Sequence, residues 1–253
     1  MDKINKRNMP LQNNWLLVLL TIIIYTPIKA QFYVNMEGGL KWDIVQTYAS
    51  KGDFEFVKQP DFVGGARLGY EINPYLALEL GVYVHQLNNN YIYRLDGVSW
   101  LEEEQWLPAQ LLQFPIRLRT TIFTIQKKLS IHPYLGLAIL VHRHETGRYE
   151  WRFQQQAIED PTHRSSFRYE YAAAFKSRYL MLGEAGLIGQ YKVTRHFSIT
   201  LALGFTMGST AIHESLLYWQ RKMPSIEDDG VLNAQYKGDQ ITLMLGVQCL
   251  FKR

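Results

Sequence analysis

The residues best suited to catalysis lie close together in the sequence: His213, Glu214 and Ser215, with Glu227 following. A histidine base, a serine nucleophile and a carboxylate are the parts of a hydrolytic triad. His213 and Ser215 meet that geometry only if they share one face of a β-strand that continues beyond Gly208. A proline that favours a turn separates Glu227 from them. We therefore expect a surface loop without enzymatic activity, and a hydrolase is the alternative.

A second candidate for chemistry is the His-x-His pair of His142 and His144, which His85 could join. Two histidines on one face of a strand have a spacing that can hold a metal ion. The chain has a single cysteine, Cys249, and its sequence indicates no firm third ligand. We expect a hydrogen-bonded rim here, with no metal and no cofactor.

These residues must be positioned by strands, because eight segments alternate large apolar residues with small or polar ones. The clearest is "FSITLALGFTMG", Phe197–Gly208. The other seven are Phe32–Trp42, Phe62–Ile72, Tyr75–His85, Leu112–Ile122, His132–His142, Tyr179–Tyr191 and Gln240–Phe251. Their length of about 10–13 residues exceeds the ordinary strand of about 5–6 and suits a tilted transmembrane strand.

The connections between these segments alternate between short and long. The short ones are Asn73–Pro74, Phe123–Leu129 and Lys192–His196, and the long ones are Asp43–Asp61, Gln86–Leu111, Arg143–Arg178 and Ser209–Asp239. The pattern predicts an all-β fold: an eight-stranded antiparallel up-and-down transmembrane β-barrel with short periplasmic turns and long extracellular loops. The apolar face meets lipid and the other face fills the lumen. A soluble sandwich or lipocalin-like barrel is the alternative, but it would expose a face poor in charge.

The first thirty residues have the layout of a secretory signal peptide. Lys3, Lys6 and Arg7 precede the apolar run Trp15–Tyr25, and a cleavage site follows at Ala30. We therefore divide the chain into a signal peptide, 1–30, and a barrel domain, 31–253. The signal segment holds most of the excess positive charge, so the remaining chain is nearly neutral and we expect no nucleic acid partner.

The Ala30–Gln31 cleavage site, the segment "LLQFPIRLR" and the glycine-rich strands resemble a small outer-membrane β-barrel family of Gram-negative bacteria. That family is described as outer membrane protein beta-barrel domain, porin-like or PorT-like. The resemblance covers the whole mature chain and implies an outer-membrane location in contact with lipid. Barrel enzymes that trim lipid A also carry a His-x-Ser pair, so the hydrolase alternative would be lipid A-directed. Such barrels often end on an aromatic residue, whereas here Lys252 and Arg253 follow Phe251.

The inner face of the predicted barrel carries charges of both signs. These residues are Glu37, Lys41, Arg67, Glu71, Glu79, Arg117, Arg119 and Glu184, with Lys192 as a further candidate. Eight strands leave an interior just wide enough for side chains to fill, so we expect paired charges that plug the lumen. A narrow passive channel is the alternative. The turn at Asn73–Pro74 predicts that Arg67 lies directly opposite Glu79.

The third long loop contains two alternating rows of aromatic residues. Tyr149, Trp151 and Phe153 form the outgoing row, and Phe167, Tyr169 and Tyr171 form the returning row. They predict a hairpin above the membrane whose aromatic face could capture a protein or glycan partner. Alternatively, the two rows pack on each other. The sequence thus favours a non-enzymatic barrel with a structural, surface-binding or secretion-associated role.

Overall fold

The computed structural model describes residues 31–49, 60–87, 91–95, 98–102, 109–142, 150–152, 166–222 and 227–251. These residues form fourteen strands: β1 (Gln31–Ala49), β2 (Asp61–Asn73), β3 (Leu76–Leu87), β4 (Tyr91–Leu95), β5 (Val98–Glu102), β6 (Ala109–Thr120), β7 (Phe123–Ile125), β8 (Leu129–His142), β9 (Glu150–Arg152), β10 (Ser166–Phe175), β11 (Tyr179–Lys192), β12 (Phe197–Gly208), β13 (His213–Lys222) and β14 (Glu227–Phe251). Within these ranges no helix is long and apolar enough to cross a membrane. The predicted signal peptide lies outside the described residues.

Eight of the strands close into an antiparallel barrel. Their order is β1-β2-β3-β6-β8-β11-β12-β14, and β14 pairs back onto β1. Each of the eight segments predicted from the sequence falls on one of these barrel strands, so the fold prediction is confirmed. Closure leaves the barrel wall without a free sheet edge. A barrel in hydrocarbon requires this, because lipid cannot form hydrogen bonds with unpaired backbone N–H and C=O groups.

The two faces of the barrel wall differ as the alternation predicted. Along β12 the large apolar residues are exposed, and Ser198, Thr200, Ala202 and Thr206 between them are buried in the lumen. The same outward exposure holds around the wall, reaching 68% for Met36 and 69% for Leu135. A continuous exposed apolar surface is suited to contact with lipid.

One end of the barrel holds three short turns and both ends of the described chain. The first turn, Pro74–Tyr75, is fastened by a hydrogen bond from the Tyr75 amide to Asn73 Oδ1 at 2.8 Å. The second is Gln126–Lys128, and the third spans residues 193–196. Phe32, near the start of the described residues, pairs with Phe251 at their end. We call this the turn end.

The predicted pairing of β2 with β3 is wrong by two positions. Arg67 lies opposite Gly81, and Glu79 lies opposite Gly69. Two local features produce the shift. The turn is centred on Pro74 and Tyr75 instead of Asn73 and Pro74, and the pairing is irregular between Glu71 and Asn73.

The connection predicted over Ser209–Asp239 is largely a β-hairpin. β13 pairs with the first part of β14, from His213 opposite Tyr236 to Lys222 opposite Glu227. β10 pairs with β13, β9 pairs with β10, and the last residues of β1 pair with the other edge of β14. The sheet β1-β14-β13-β10-β9 therefore continues beyond the barrel wall at the end opposite the turns. We call it the extension sheet.

Candidate functional site

The centre of the lumen is occupied by an arginine held between two carboxylates. Arg67 Nη2 lies 2.6 Å from Glu37 Oε2, and Arg67 Nη1 lies 2.6 Å from Glu79 Oε2. All three side chains are almost fully buried. A buried charge is tolerated only when it is paired and hydrogen-bonded, and here each carboxylate meets the guanidinium.

A second arginine joins the opposite wall to this group. Arg117 Nε lies 2.7 Å from Glu184 Oε2, and Gln113 also donates a hydrogen bond to Glu184. The Arg117 guanidinium lies over the rings of Tyr83 and Tyr134, 5.3 and 4.7 Å from their centroids. Cation–π contacts of this kind hold the arginine in place while its charge is paired.

Tyrosine hydroxyls and a third arginine complete the network. Tyr33 donates to Glu79 at 2.5 Å, and Tyr83 donates to Glu37. Arg119 Nη1 lies 3.4 Å from Glu79, and its Nη2 lies 3.7 Å from Glu71 nearer the turn end. Its guanidinium also lies 4.7 Å from the Tyr33 ring centroid. The network therefore spans the lumen from wall to wall.

Glycines on the inner face leave the room that these large side chains occupy. A methyl group built at Gly69 would come within 1.9 Å of the Tyr33 ring, and one at Gly186 within 2.6 Å of Tyr134. Gly65 stands in the same relation to Tyr83, at 2.6 Å. Glycine in a strand often marks such a close approach. The small residues at inward-facing positions thus make room for the large side chains that fill the interior.

The eight residues predicted for the lumen charge network all lie on the inner face. Seven are buried, and Glu71 is partly exposed towards the turn end. Lys41 lies apart from the central group and contacts Asp43, with Asp61 at 3.6 Å. The sequence predicts Asp43 and Asp61 as the ends of a long loop, whereas they lie on β1 and β2. Lys192, the further candidate, is exposed at the turn end.

An apolar layer that was not predicted from the sequence closes the other end of the lumen. Its members are Leu87, Leu111, Ala138, Leu140, Leu180, Leu182, Ile212 and Tyr236. One sign of this layer is present in the sequence. β11 has apolar residues on both faces, so its alternation is the weakest among the eight segments. The layer places hydrocarbon where a water-filled pore would need polar groups.

The candidate catalytic residues do not assemble as a triad with Glu227. His213 and Ser215 are both buried on one face of β13, but Glu227 pairs with Lys222 at the far end of the hairpin. At ~3.3 Å per residue that pairing puts Glu227 roughly 30 Å along the strand from His213. Glu214, on the other face, contacts Lys176 Nζ at 2.5 Å.

The two described histidines that were considered for metal binding, His85 and His142, are both buried, on β3 and β8 of the barrel wall. His85 and His142 both pair in backbone register with Leu111, on either side of it. The His142 ring stacks on Phe175 at 4.1 Å, and its Nε2 lies 2.6 Å from the Ser177 carbonyl oxygen. His144 lies outside the described residues. Within the part of the chain that the structure describes, no three His, Cys, Asp or Glu residues form a metal-binding group.

For the aromatic hairpin predicted in the third long connection, the structure describes the backbone of residues 150–152 and 166–175. β9 and β10 pair antiparallel, with Trp151 opposite Ala172. Phe167, Tyr169 and Tyr171 lie on β10, which also pairs with β13. Tyr149 and Phe153 lie outside the described residues. The predicted partner-binding aromatic face stays a prediction.

Comparison with known proteins finds similarity only among solved structures. No family model matches the chain, and no curated protein does. The outer membrane protein OprG from Pseudomonas aeruginosa is 14% identical, with a TM-score of 0.43, covering 89% of this chain and 98% of that one. A major outer membrane protein from Thermus thermophilus is 12% identical, with a TM-score of 0.44 and coverages of 88% and 99%. Ail of Yersinia pestis is 12% identical, with a TM-score of 0.38 and coverages of 89% and 100%.

The closed antiparallel barrel, its apolar exterior and its polar, charge-paired interior define the class of this protein. It is an eight-stranded β-barrel of the outer-membrane type. The finer PorT-like resemblance, which no family model supports, stays a prediction.

Proposed function

We propose that this protein is a non-conducting barrel of the outer membrane that carries a rigid surface sheet for binding a protein or glycan partner. One observation carries the proposal: β14 is a single strand of 25 residues that belongs to both parts. Its last part pairs with β12 in the barrel wall, and its first part pairs with β13 in the extension sheet.

The junction between barrel and extension is built into the backbone. Gly238 has a φ of 80°, a left-handed value that favours glycine, and it lies where β14 changes partner from β13 to β12. Thr206 Oγ1 donates to the Gly238 carbonyl oxygen at 2.7 Å, and the Gly208 amide donates to Asp239 Oδ1 at 2.8 Å. On the other side of β14, the pairing with β1 is irregular between Asp43 and Val45. These features fasten the extension to the barrel wall at a fixed point.

The extension sheet has a packed face of its own. Leu217 and Trp219 of β13 and Leu232 and Ala234 of β14 are buried. At ~3.3 Å per residue, the part of β14 beyond the wall reaches roughly 40 Å. A sheet that is ordered before it meets a partner loses less conformational entropy on binding. Extended strands also recognise partners by edge pairing and side-chain pockets.

The filled lumen supports a structural barrel and not a channel. Ion pairs cross the centre, and the apolar layer lies between them and the extension. A solute passing through would have to separate buried charges and then enter hydrocarbon, and both steps are costly.

The proposal is tested by replacing residues 213–235 with a short glycine-rich turn, which removes the hairpin and leaves the barrel wall. Cells displaying the parent and the shortened protein are compared for outer-membrane insertion and for binding to arrays of glycans and of purified surface proteins. We expect equal insertion and binding by the parent only. Equal binding by both proteins, or solute uptake in place of binding, would contradict the proposal.

A further inference from the structure

The turn end of the lumen opens into a cavity of about 650 Å³. Its rim is formed by the three short turns, and its inner walls carry polar side chains from four barrel strands, namely Ser130, His132, Gln190, Ser198 and Gln248. The His132 ring is held by Thr121 Oγ1 at 3.0 Å and by Ser130 Oγ at 2.8 Å. The cavity is therefore a polar cup with ordered walls.

Most of the charged side chains that line this cup are positive. Lys127, Lys128, Lys192 and Arg195 line it, against the single carboxylate of Glu71. Glu71 is already engaged, 3.7 Å from Arg119. Among the described residues, none of the four cations forms an ion pair. Several positive charges around a concave site raise the local electrostatic potential and concentrate anions there.

The turn that supplies two of these lysines has an unfavourable backbone. Gln126 and Lys127 have φ values of 48° and 58°, and the Lys128 amide donates to the Ile125 carbonyl oxygen at 3.0 Å. A hairpin turn with two left-handed residues prefers Asn-Gly, whereas here neither residue is glycine. Strained backbone of this kind occurs at functional sites. In this turn it places adjacent lysines on the rim of the cup.

The cup ends inside the barrel. Arg119, which lies 3.4 Å from Gln248 Oε1 and 3.4 Å from Glu79, joins its inner wall to the central network. Beyond that network lies the apolar layer. A ligand could therefore enter from the turn end and be held without crossing the barrel.

We propose that this cup binds a phosphate-bearing ligand from the periplasmic side. Lysine ammonium groups bind phosphate as point charges, and the hydroxyl and amide groups of the walls add neutral donors. The phosphate can belong to a soluble molecule or to a lipid headgroup at the inner surface of the membrane, since the chemistry is shared. This site is independent of the surface binding proposed above.

The first experiment measures inorganic tripolyphosphate binding to the full mature barrel in phosphatidylcholine nanodiscs by calorimetry at low salt. We expect saturable binding that weakens as salt is added. The double variant Lys127→Gln with Lys192→Gln should bind at least about tenfold more weakly, because two charge-assisted contacts are removed. The matched control is Lys237→Gln in the extension sheet, which should bind within about twofold of the parent because it lies beyond the barrel wall, where exposed charges are screened from the cup.

A second arm identifies the source of the phosphate. The double variant serves as the reference in each lipid, because an anionic membrane surface repels tripolyphosphate from both proteins alike. If lipid headgroups occupy the cup, the difference in tripolyphosphate affinity between the parent and the double variant will shrink in phosphatidylglycerol nanodiscs, and if the ligand is soluble this difference will be the same in both lipids. Amine acylation read by mass spectrometry gives an independent measure on the unmodified protein. Tripolyphosphate should protect Lys127, Lys128 and Lys192 and leave Lys237 reactive. An absence of binding by the parent, or an equal loss in the Lys237 control, would overturn the proposal.

Discussion

Arg67 and Glu79 form an ion pair at 2.6 Å although they are not opposite each other in the barrel wall. Each faces a glycine instead, Gly81 and Gly69 respectively. The space above these glycines lets the side chains lean towards each other, and it also admits the Tyr33 ring. The pair is thus made by the interior packing, and not by direct cross-strand opposition.

Arg67→Met should destabilise the barrel by about 3–5 kcal/mol, because it leaves Glu37 and Glu79 buried with reduced compensation. The measurement is urea unfolding in lipid, monitored by tryptophan fluorescence. The control is Glu71→Gln, since Glu71 is partly exposed and its loss should cost under about 1 kcal/mol. Equal stability of the two variants would show that the central network is not held by its charges.

Gly69→Ala should destabilise the barrel by about 1–3 kcal/mol, because the added methyl group overlaps the Tyr33 ring and overpacking a filled interior forces side chains out of place. Gly183→Ala is the matched control. Gly183 is exposed on the outer face, where the nearest atom to an added methyl is 3.9 Å away. Unfolding of both variants under the same conditions tests the close packing, which would be refuted if Gly69→Ala were as stable as the control.

Trp219→Ala should loosen the extension sheet and leave the barrel folded, since Trp219 is buried in the hairpin. Hydrogen exchange followed by mass spectrometry should then show faster exchange over residues 213–235 and unchanged exchange over β12. The neighbouring Tyr218→Ala is the control, because Tyr218 lies on the opposite, exposed side of β13. Faster exchange throughout the barrel would mean that the two parts do not unfold separately.

His213→Ala and Ser215→Ala should leave lipid A unchanged in cells that carry the protein. A triad needs its carboxylate within reach of the base, and the hairpin holds Glu227 at its other end. Mass spectra of lipid A from cells with the parent, with each variant and without the protein are compared. An acyl chain lost with the parent and restored by either variant would make the protein an enzyme.

The sequence was sufficient to predict the barrel strands, because repeated segments of ten or more residues that alternate around one apolar face have few alternatives to a membrane wall. It also placed Arg67, Arg117 and Glu184 on the inner face, since in a strand the face follows from the parity of the position. In both cases the information is local.

Three features depended on information that is not local. The shift of β2 against β3 arises from the turn at Pro74–Tyr75 and the irregularity after Glu71, and neither follows from alternation. The apolar layer uses inward-facing Leu180 and Leu182, and β11 has large apolar residues on both faces. The hairpin of β13 and β14 is completed by β10, whose pairing with β13 joins distant parts of the chain.

Conductance in a planar lipid bilayer tests the central claim most directly, namely that the lumen is filled by the charge network and the apolar layer. The purified, folded barrel should insert without producing a large, steady current, because eight strands enclose only enough space for their own side chains. A steady porin-sized conductance, or ready uptake of sugars into liposomes that contain the protein, would contradict the account and identify the barrel as a channel.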